Sequence, residues 1–333
     1  MAKSLIGIDI GHGSLKLALV KGRQVKRAVS VAMPNKLVQD GRVVSAETMG
    51  ELIRTTMREN GMRARKAAIV LPNESTFVRN VNVPVMSADQ LKYNLPFEFR
   101  DYITDELKDY TYDYAVIERK AADEEDGENT GETLDLLAVA VHTELLEEMR
   151  GILRKAGLRM AKAVPTVSSY VSLIRNLGGD PSAEYCILDL GYRAVRMYMF
   201  RGDRHVVTRA LEIGLSALDD VIAGIYNVDP YLAHTYLLTN YENCQQKPEC
   251  ISSYNNIAVE LMRALNFYRF SNPESMLSDI WLCGGGASIG ALQKAIASAL
   301  DMNIHQAQDL LPKGGETVED ACSVIQAIGA ALD

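Results

Sequence analysis

SLIGIDIGHGSLKLALV, running from Ser4 to Val20, puts an apolar strand, a carboxylate, a glycine turn and a lysine within the length of one hairpin. Leu5 to Ile8 reads as a buried strand and Leu15 to Val20 as the next, since each is a short apolar run beside turn residues. Between them Gly11, His12, Gly13 and Ser14 form a tight turn. Glycine tolerates positive φ and lets backbone N–H groups approach an anion, so the turn can cradle a phosphate. Asp9 at the strand end can hold a hydrated Mg²⁺, and Lys16 can reach a phosphate oxygen. An ordinary hairpin with a glycine turn fits the same residues.

The same grammar returns far downstream. Tyr185 to Phe200, YCILDLGYRAVRMYMF, is again apolar strand, Asp-x-Gly, turn and apolar strand. At Ile280 to Gly290, IWLCGGGASIG, a short apolar run ends in Gly284, Gly285 and Gly286 and enters a helical pattern. A strand, glycine turn and helix start can bring backbone close to a nucleotide. The three elements in this order resemble the actin-like ATPase superfamily, with a first phosphate loop, a second phosphate loop and an adenosine loop. Asp9, Gly11, Gly13 and Lys16 repeat the Asp-x-Gly-x-Gly-x-x-Lys spacing of that family's first loop. The resemblance implies ATP and Mg²⁺ as cofactors, bound by Gly11, Gly13, Ser14, Lys16, Gly191, Arg193 and the triple glycine, with Asp9 and Asp189 on the metal.

A chain of 333 residues, 47% hydrophobic, is long enough for two domains with separate cores. Its net charge of −8 argues against a general nucleic-acid or anionic-membrane surface. The apolar runs are strand-sized, and the start MAKSLIGIDIG lacks the features of a signal peptide, so a cytoplasmic protein without direct membrane insertion is expected. The cysteines at 186, 244, 250, 283 and 322 are scattered and suggest no disulfide framework. Cys244 and Cys250 are close, with His234 nearby, but zinc sites usually offer a second ligand pair, and no metal site is expected there.

Along the chain, residues 1–75 give three antiparallel strands, the amphipathic helix Ala46 to Asn60 and the strand Lys66 to Leu71. This suits the first half of a ribonuclease-H-like domain I. Residues 184–318 repeat the plan as domain II. Residues 76–162 are read as an insertion of order β-α-β-β-α, broken by the solvated acidic loop AADEEDGENTGET. The segment 319–333, rich in small residues, reads as a buried helix; by the superfamily resemblance it returns to domain I, and 163–183 holds the other helix that crosses at the hinge. The fold expected is therefore α/β, two-domain and actin-like, with an inserted subdomain.

The insertion resembles the extra subdomain of the FtsA and PilM families, the latter more closely. LKYNLPFEFRDYITDELKDYTYDYAVIE and AVAVHTELLEEMRGILRKAGLRMAKAVP carry that likeness. It implies a scaffold of the type IV pilus, or a related secretion, inner-membrane platform, held at the inner face of the membrane by the tail of a PilN-like protein. Contacts with pilus motor or platform components are a further implication. The tail is expected in a groove beside the inserted subdomain, against Val81, Val83, Leu91 and Tyr93. An FtsA-like filament former is the alternative, and should carry a C-terminal amphipathic helix that is not seen before Asp333. A sugar- or acetate-kinase-like phosphotransferase is another, but no substrate constellation accompanies the loops.

Glu260 and Arg263 lie one helical turn apart. They read either as a surface ion pair or, by the superfamily resemblance, as ribose and adenine ligands. No His-Glu-x-x-His and no Walker-type loop is present. Asp189 is the residue best suited to orient water. The second loop departs from its relatives: where they carry small or hydroxyl residues, Tyr192, Arg193, Ala194, Val195 and Arg196 follow Gly191. Arg193 either pairs with a phosphate or fills its place. Nucleotide binding with slow or absent hydrolysis is expected, at most a weak ATPase, with an empty cleft as the alternative.

Overall fold

The two halves begin with the same ladder. The computed structural model describes residues 4–39, 41–121, 123–125, 128–178, 180–311 and 320–332. Strands β1 (Ser4–Ile10), β2 (Ser14–Lys21) and β3 (Gln24–Ala32) run antiparallel. Helix α1 (Ala46–Glu59) follows, capped by the Ser45 hydroxyl, which accepts from the Thr48 amide. It ends at Gly61, whose φ of +61° suits a residue without Cβ. Strand β4 (Lys66–Leu71) then returns parallel to β1.

Strand β5 (Thr76–Pro84), helix α2 (Ala88–Asn94), β6 (Tyr110–Lys120) and β7 (Thr133–His142) build a three-stranded sheet of order β5-β7-β6. Its core gathers Val81, Val83, Leu91, Leu95, Phe99 and Leu136. The acidic stretch expected to be a loop forms a short antiparallel ladder, Asp123–Glu125 with Glu128–Thr130. Helix α3 (Thr143–Lys155) completes the β-α-β-β-α order, yet its apolar face, Leu145, Met149, Ile152 and Leu153, joins Ile53 and Met57 of α1 in the core of the first sheet. Strand β8 (Arg159–Pro165) pairs with β4, so the chain rejoins the first sheet before the boundary drawn at 162. That sheet has the order β8-β4-β1-β2-β3.

Helix α4 (Thr166–Leu177) leads to the second half. Strands β9 (Glu184–Leu190), β10 (Val195–Arg201) and β11 (Arg204–Leu211) are antiparallel. Helices α5 (Leu215–Tyr226), α6 (Pro230–Thr239) and α7 (Pro248–Ser271) precede β12 (Asp279–Cys283), which runs parallel to β9. Helix α8 (Gly290–Ala299) and β13 (Asn303–Gln306) close the order β11-β10-β9-β12-β13. Strand β13 has only four residues, two of them polar and one a histidine, and shows no apolar run in the sequence. The topology of β1, β2, β3 and β4 is thus that of β9, β10, β11 and β12. The second half repeats the plan of the first, with Ile187 of β9 in the strand that takes the place of β1 and its Ile6.

Helix α9 (Ala321–Ala331) is buried along its length and packs between the sheets with α4. Glycine makes the approach possible: a Cβ on Gly7 of β1 would stand 1.7 Å from the Ala327 carbonyl oxygen, and one on Gly329 would stand 2.2 Å from that of Ser169. The boundary placed between 318 and 319 lies outside the described residues.

Candidate functional site: the cleft between the two strand-loop-strand units

The matching ladders carry matching polar pairs to one cleft. Asp9 faces Lys16 across β1 and β2, and Asp189 faces Arg196 across β9 and β10. All four line a cavity of about 880 Å³ between the halves. The sequence reading singled out Arg193; the register makes Arg196 the counterpart of Lys16. The repeated seven-residue interval from aspartate to cation, Asp9 to Lys16 and Asp189 to Arg196, was the signal for it.

Lys16 donates to Asp9 at 2.9 Å. Burial works against its charge, but the carboxylates of Asp9 and Asp189 outweigh this and raise its pKa. Asp189 is buried, and burial pushes its carboxyl above the usual range despite Lys16 and Arg196. Its Oδ2 accepts from Gln326 Nε2 at 2.8 Å, and the same amide donates to the Tyr170 hydroxyl at 2.8 Å. Helix α9 thereby holds the carboxylate expected to orient water. Arg196 Nη2 donates to Glu74 at 2.7 Å, joining domain II to the turn after β4. The arginine side chain is only 14% exposed, so removing its partner would leave a largely desolvated charge.

The loops themselves are tied down by backbone bonds. In the first, Gly11 N donates to Ser14 O at 3.0 Å and Met33 N to Gly13 O at 3.0 Å. In the second, the amides of Leu215 and Ser216 at the start of α5 donate to the Gly191 and Tyr192 carbonyls at 3.1 and 2.9 Å. The Tyr192 ring lies over Gly13: a Cβ there would stand 3.2 Å from Tyr192 Cδ2. Its hydroxyl bonds to Asp219, a fully buried carboxylate that also holds His234 Nδ1 at 3.0 Å. Burial and Asp219 push the Tyr192 phenol up to about 12, so it stays a donor.

Gly11, Gly13, Ser14, Gly191, Arg193, Gly284 and Gly285 all line the cleft, with Asp9 and Lys16. Gly284 has φ +82°, and a Cβ on it would meet Asp189 Oδ1 at 2.4 Å. Gly286 is turned inward against Leu190 and Leu215 instead. Ser288 also lines the cleft, and GASIG at 286–290 has Gly-x-Ser-x-Gly spacing, but the hydroxyl donates to Gly285 O at 2.9 Å within its own turn.

Glu260 and Arg263 are not brought to the cleft. They pair with each other at 2.5 Å on an exposed face of α7, while Ile257, Leu261 and Leu265 on the other face enter the core. The wall they were expected to supply comes from α6, through Asp229, Pro230, Tyr231, His234, Thr235 and Leu238. Its mixed run PYLAHTYLLT gave no sign of this in the sequence. The four residues assigned to a partner peptide also separate: Val81, Val83 and Leu91 are buried in the core of their own sheet, and only Tyr93 is exposed. Burying three aliphatic side chains stabilises the small sheet and removes them from any docking surface.

Cys244 and Cys250 are buried, with Cys244 Sγ against the Tyr236 carbonyl, while His234 is engaged by Asp219. No helix among the described residues is long and apolar enough to cross a membrane.

Among solved structures the chain is similar to the PilM-PilN type IV pilus biogenesis complex, with a TM-score of 0.81 and 21% identity over 98% of this chain and 97% of that one. It is also similar to the ethanolamine utilization protein EutJ of Carboxydothermus hydrogenoformans, at a TM-score of 0.60 and 14% identity over 98% and 88% of the two chains. Component A of the (R)-2-hydroxyglutaryl-CoA dehydratase of Acidaminococcus fermentans follows at 0.50 and 10%, covering 99% and 96%. These likenesses establish the fold as that of the actin-like ATPases. No curated protein is a significant match to the sequence. The family described as type IV pilus assembly protein PilM matches residues 7–310, nearly the whole chain, and the protein belongs to it.

Proposed function

We propose that the chain is a scaffold of the type IV pilus inner-membrane platform that binds the cytoplasmic tail of a PilN-like membrane protein and holds an adenine nucleotide with Mg²⁺, with little turnover. The observation that carries the nucleotide reading is the convergence of both glycine loops and both aspartates on one cavity. The residues fit the metal. Asp9 and Asp189 are hard oxygen donors, and both line the cavity. Bound Mg²⁺ would supply neutralisation of phosphate charge. Lys16 is placed to exchange Asp9 for a phosphate oxygen, and Tyr231 and Leu238 offer an apolar wall to a base. Turnover is expected to be slow because the second loop lacks Ser/Thr hydroxyls, the Tyr192 hydroxyl is taken by Asp219, and Asp189 is already committed to Gln326.

For the tail, a second cavity of about 880 Å³ is better suited than the surface around Val81. Its walls include Thr76, Val78 and Asn80 of edge strand β5 and His205 to Thr208 of edge strand β11. An extended peptide can add to a strand edge through main-chain hydrogen bonds. Calorimetric titration with ATP and Mg²⁺ tests the cleft: absence of both heat and thermal shift at millimolar nucleotide would sink it, and Asp9→Ala should weaken any binding seen. Peptides from PilN-like tails test the partner, with Val78→Asp expected to abolish capture and Tyr93→Ala to leave it intact.

A further inference from the structure

The net charge of −8 hides one end of domain I where the sign is reversed. Residues 21–27, 58–66 and 154–159 hold eleven lysines and arginines against a single acid, Glu59. The fold gathers them. Lys21 at the end of β2 pairs with Ser4 at the start of β1, and Asp9, near the other end of β1, lines the cleft. Lys66 and Arg159 open β4 and β8, which lie side by side and run parallel to β1. Helix α1 ends at the same level, where the Asn60 carbonyl accepts from Arg27 Nη1 at 3.1 Å. The three segments are therefore the connections at the end of the sheet opposite the cleft.

All of these cations except Lys26 and Lys66 are exposed, and among the described residues only Lys155 of the eleven has an ion-pair partner, Glu47. Crowded like charges repel one another, and an external anionic surface relieves that repulsion. No Phe, Tyr or Trp occurs in the three segments, which removes the stacking platform that a single-stranded nucleic acid uses. Val25, Met62, Ala156 and Leu158 are buried, so none of them is offered for insertion into a bilayer. What remains is a set of guanidinium forks and ammonium groups, which match phosphate oxygens. We propose that this end of domain I rests against the phosphate headgroups of an acidic lipid surface. The choice of lipid among polyanions rests on reading the chain as a scaffold tethered to the membrane by a PilN-like tail, because a tether raises the effective concentration enough for a purely electrostatic contact to hold. The cleft, at the opposite end of the same sheet, stays open to its ligand.

Co-sedimentation of the full chain with vesicles of equal parts phosphatidylglycerol and phosphatidylcholine tests this. Binding is expected at about 50 mM salt and its loss at about 500 mM, where the screening length falls below about 5 Å. Vesicles of phosphatidylcholine alone should bind none. Arg23→Gln, Arg63→Gln and Arg65→Gln together, all at exposed positions, should lower the partition coefficient at least about tenfold, since each cation near such a surface contributes about fivefold. Lys92→Gln with Lys294→Gln, on α2 and α8, should leave it unchanged. Absence of binding to the acidic vesicles overturns the proposal, as does an unchanged partition in the folded triple variant. Tighter binding to a DNA duplex, lost in the same variant, also overturns it and gives the surface to nucleic acid. Should the triple variant not fold, the three single substitutions are read instead, and no loss in any of them refutes the cluster. The vesicles carry no PilN-like protein, so failure of the tail reading leaves this result untouched, and failure here leaves the tail reading standing.

Discussion

Gly7→Ala probes the contact on which the two halves depend. The added methyl would sit 1.7 Å from the Ala327 carbonyl oxygen and 2.7 Å from its carbon, where ordinary contact begins at 3.4 Å. A flexible side chain could swing away from such a clash. A carbonyl inside α9 cannot, so the helix must retreat from β1 as a unit. Inserting one methylene into a tight core costs about 1–3 kcal/mol, and the rigid neighbour puts this site at the upper end. For a chain of this size that corresponds to a fall of about 4 °C in thermal midpoint. Gly151→Ala in α3 is the matched control. No atom lies within 4 Å of its Cβ and its φ is helical, so better helix propensity should stabilise by about 0.5–1 kcal/mol. The measurement is a pair of thermal and urea melts beside the wild type. A Gly7→Ala melt that coincides with that of Gly151→Ala would refute the close approach of α9 to β1. Because α9 also carries Gln326, the same variant should weaken nucleotide binding by moving the donor on Asp189.

Burial depresses the pKa of His205 to about 4, below the ordinary 6.5, so the native state holds it neutral while the unfolded chain takes up a proton. Its contribution to stability is present above about pH 6.5 and is lost as the pH falls towards 4, roughly 3 kcal/mol at most, and His205→Gln should flatten that stretch of a urea-midpoint profile. Glu74→Gln removes the charge that Arg196 meets across the cleft and should destabilise by about 1–3 kcal/mol, whereas replacing both by Gln and Met should recover part of the loss; a single-variant midpoint equal to wild type would count against the ion pair. Asp189→Asn should raise the thermal midpoint of the nucleotide-free protein at neutral pH, since burial disfavours the charge that it removes, and the gain should disappear below the carboxyl's ordinary range; a lowered midpoint at pH 7 would reverse the sign.

The strand-loop-strand units were legible because their signals are local. An apolar run, Asp-x-Gly and a second apolar run fix a hairpin whatever surrounds it, and two copies in one chain fix the symmetry. The amphipathic helix read at Ala46 to Asn60 was local too, and it is found at Ala46–Glu59. What could not be read were contacts set by how distant elements meet. Glu260 and Arg263 have helical spacing in either reading, and only the orientation of α7 decides that its Ile257, Leu261 and Leu265 face goes inward and the charged pair outward. Val81 and Val83 alternate with polar neighbours, which announces one buried face without saying what covers it; it is covered by Leu91 and Leu95 of the same subdomain. The wall from α6 was hidden for the related reason that a helix lining a polar cleft needs no clean apolar stripe.

Arg196 shows how the symmetry produces something that neither half contains alone. In the first unit the cation after the loop, Lys16, is satisfied within its own hairpin by Asp9. In the second, Asp189 is held by Gln326 of α9, and Arg196 reaches across to Glu74 in the other domain. Arg196 and Glu74 line both the cleft between the halves and the cavity beside β5 and β11, so their ion pair is part of the partition between them. An anion entering the cleft competes with Glu74 for the arginine, and a peptide entering the second cavity presses on the same pair from the other side. Any ligand that favours the broken pair in one cavity must, by thermodynamic reciprocity, find its affinity altered by a ligand that favours it in the other. If the proposed reading of the two cavities holds, nucleotide occupancy of one would change the affinity of the other for its peptide.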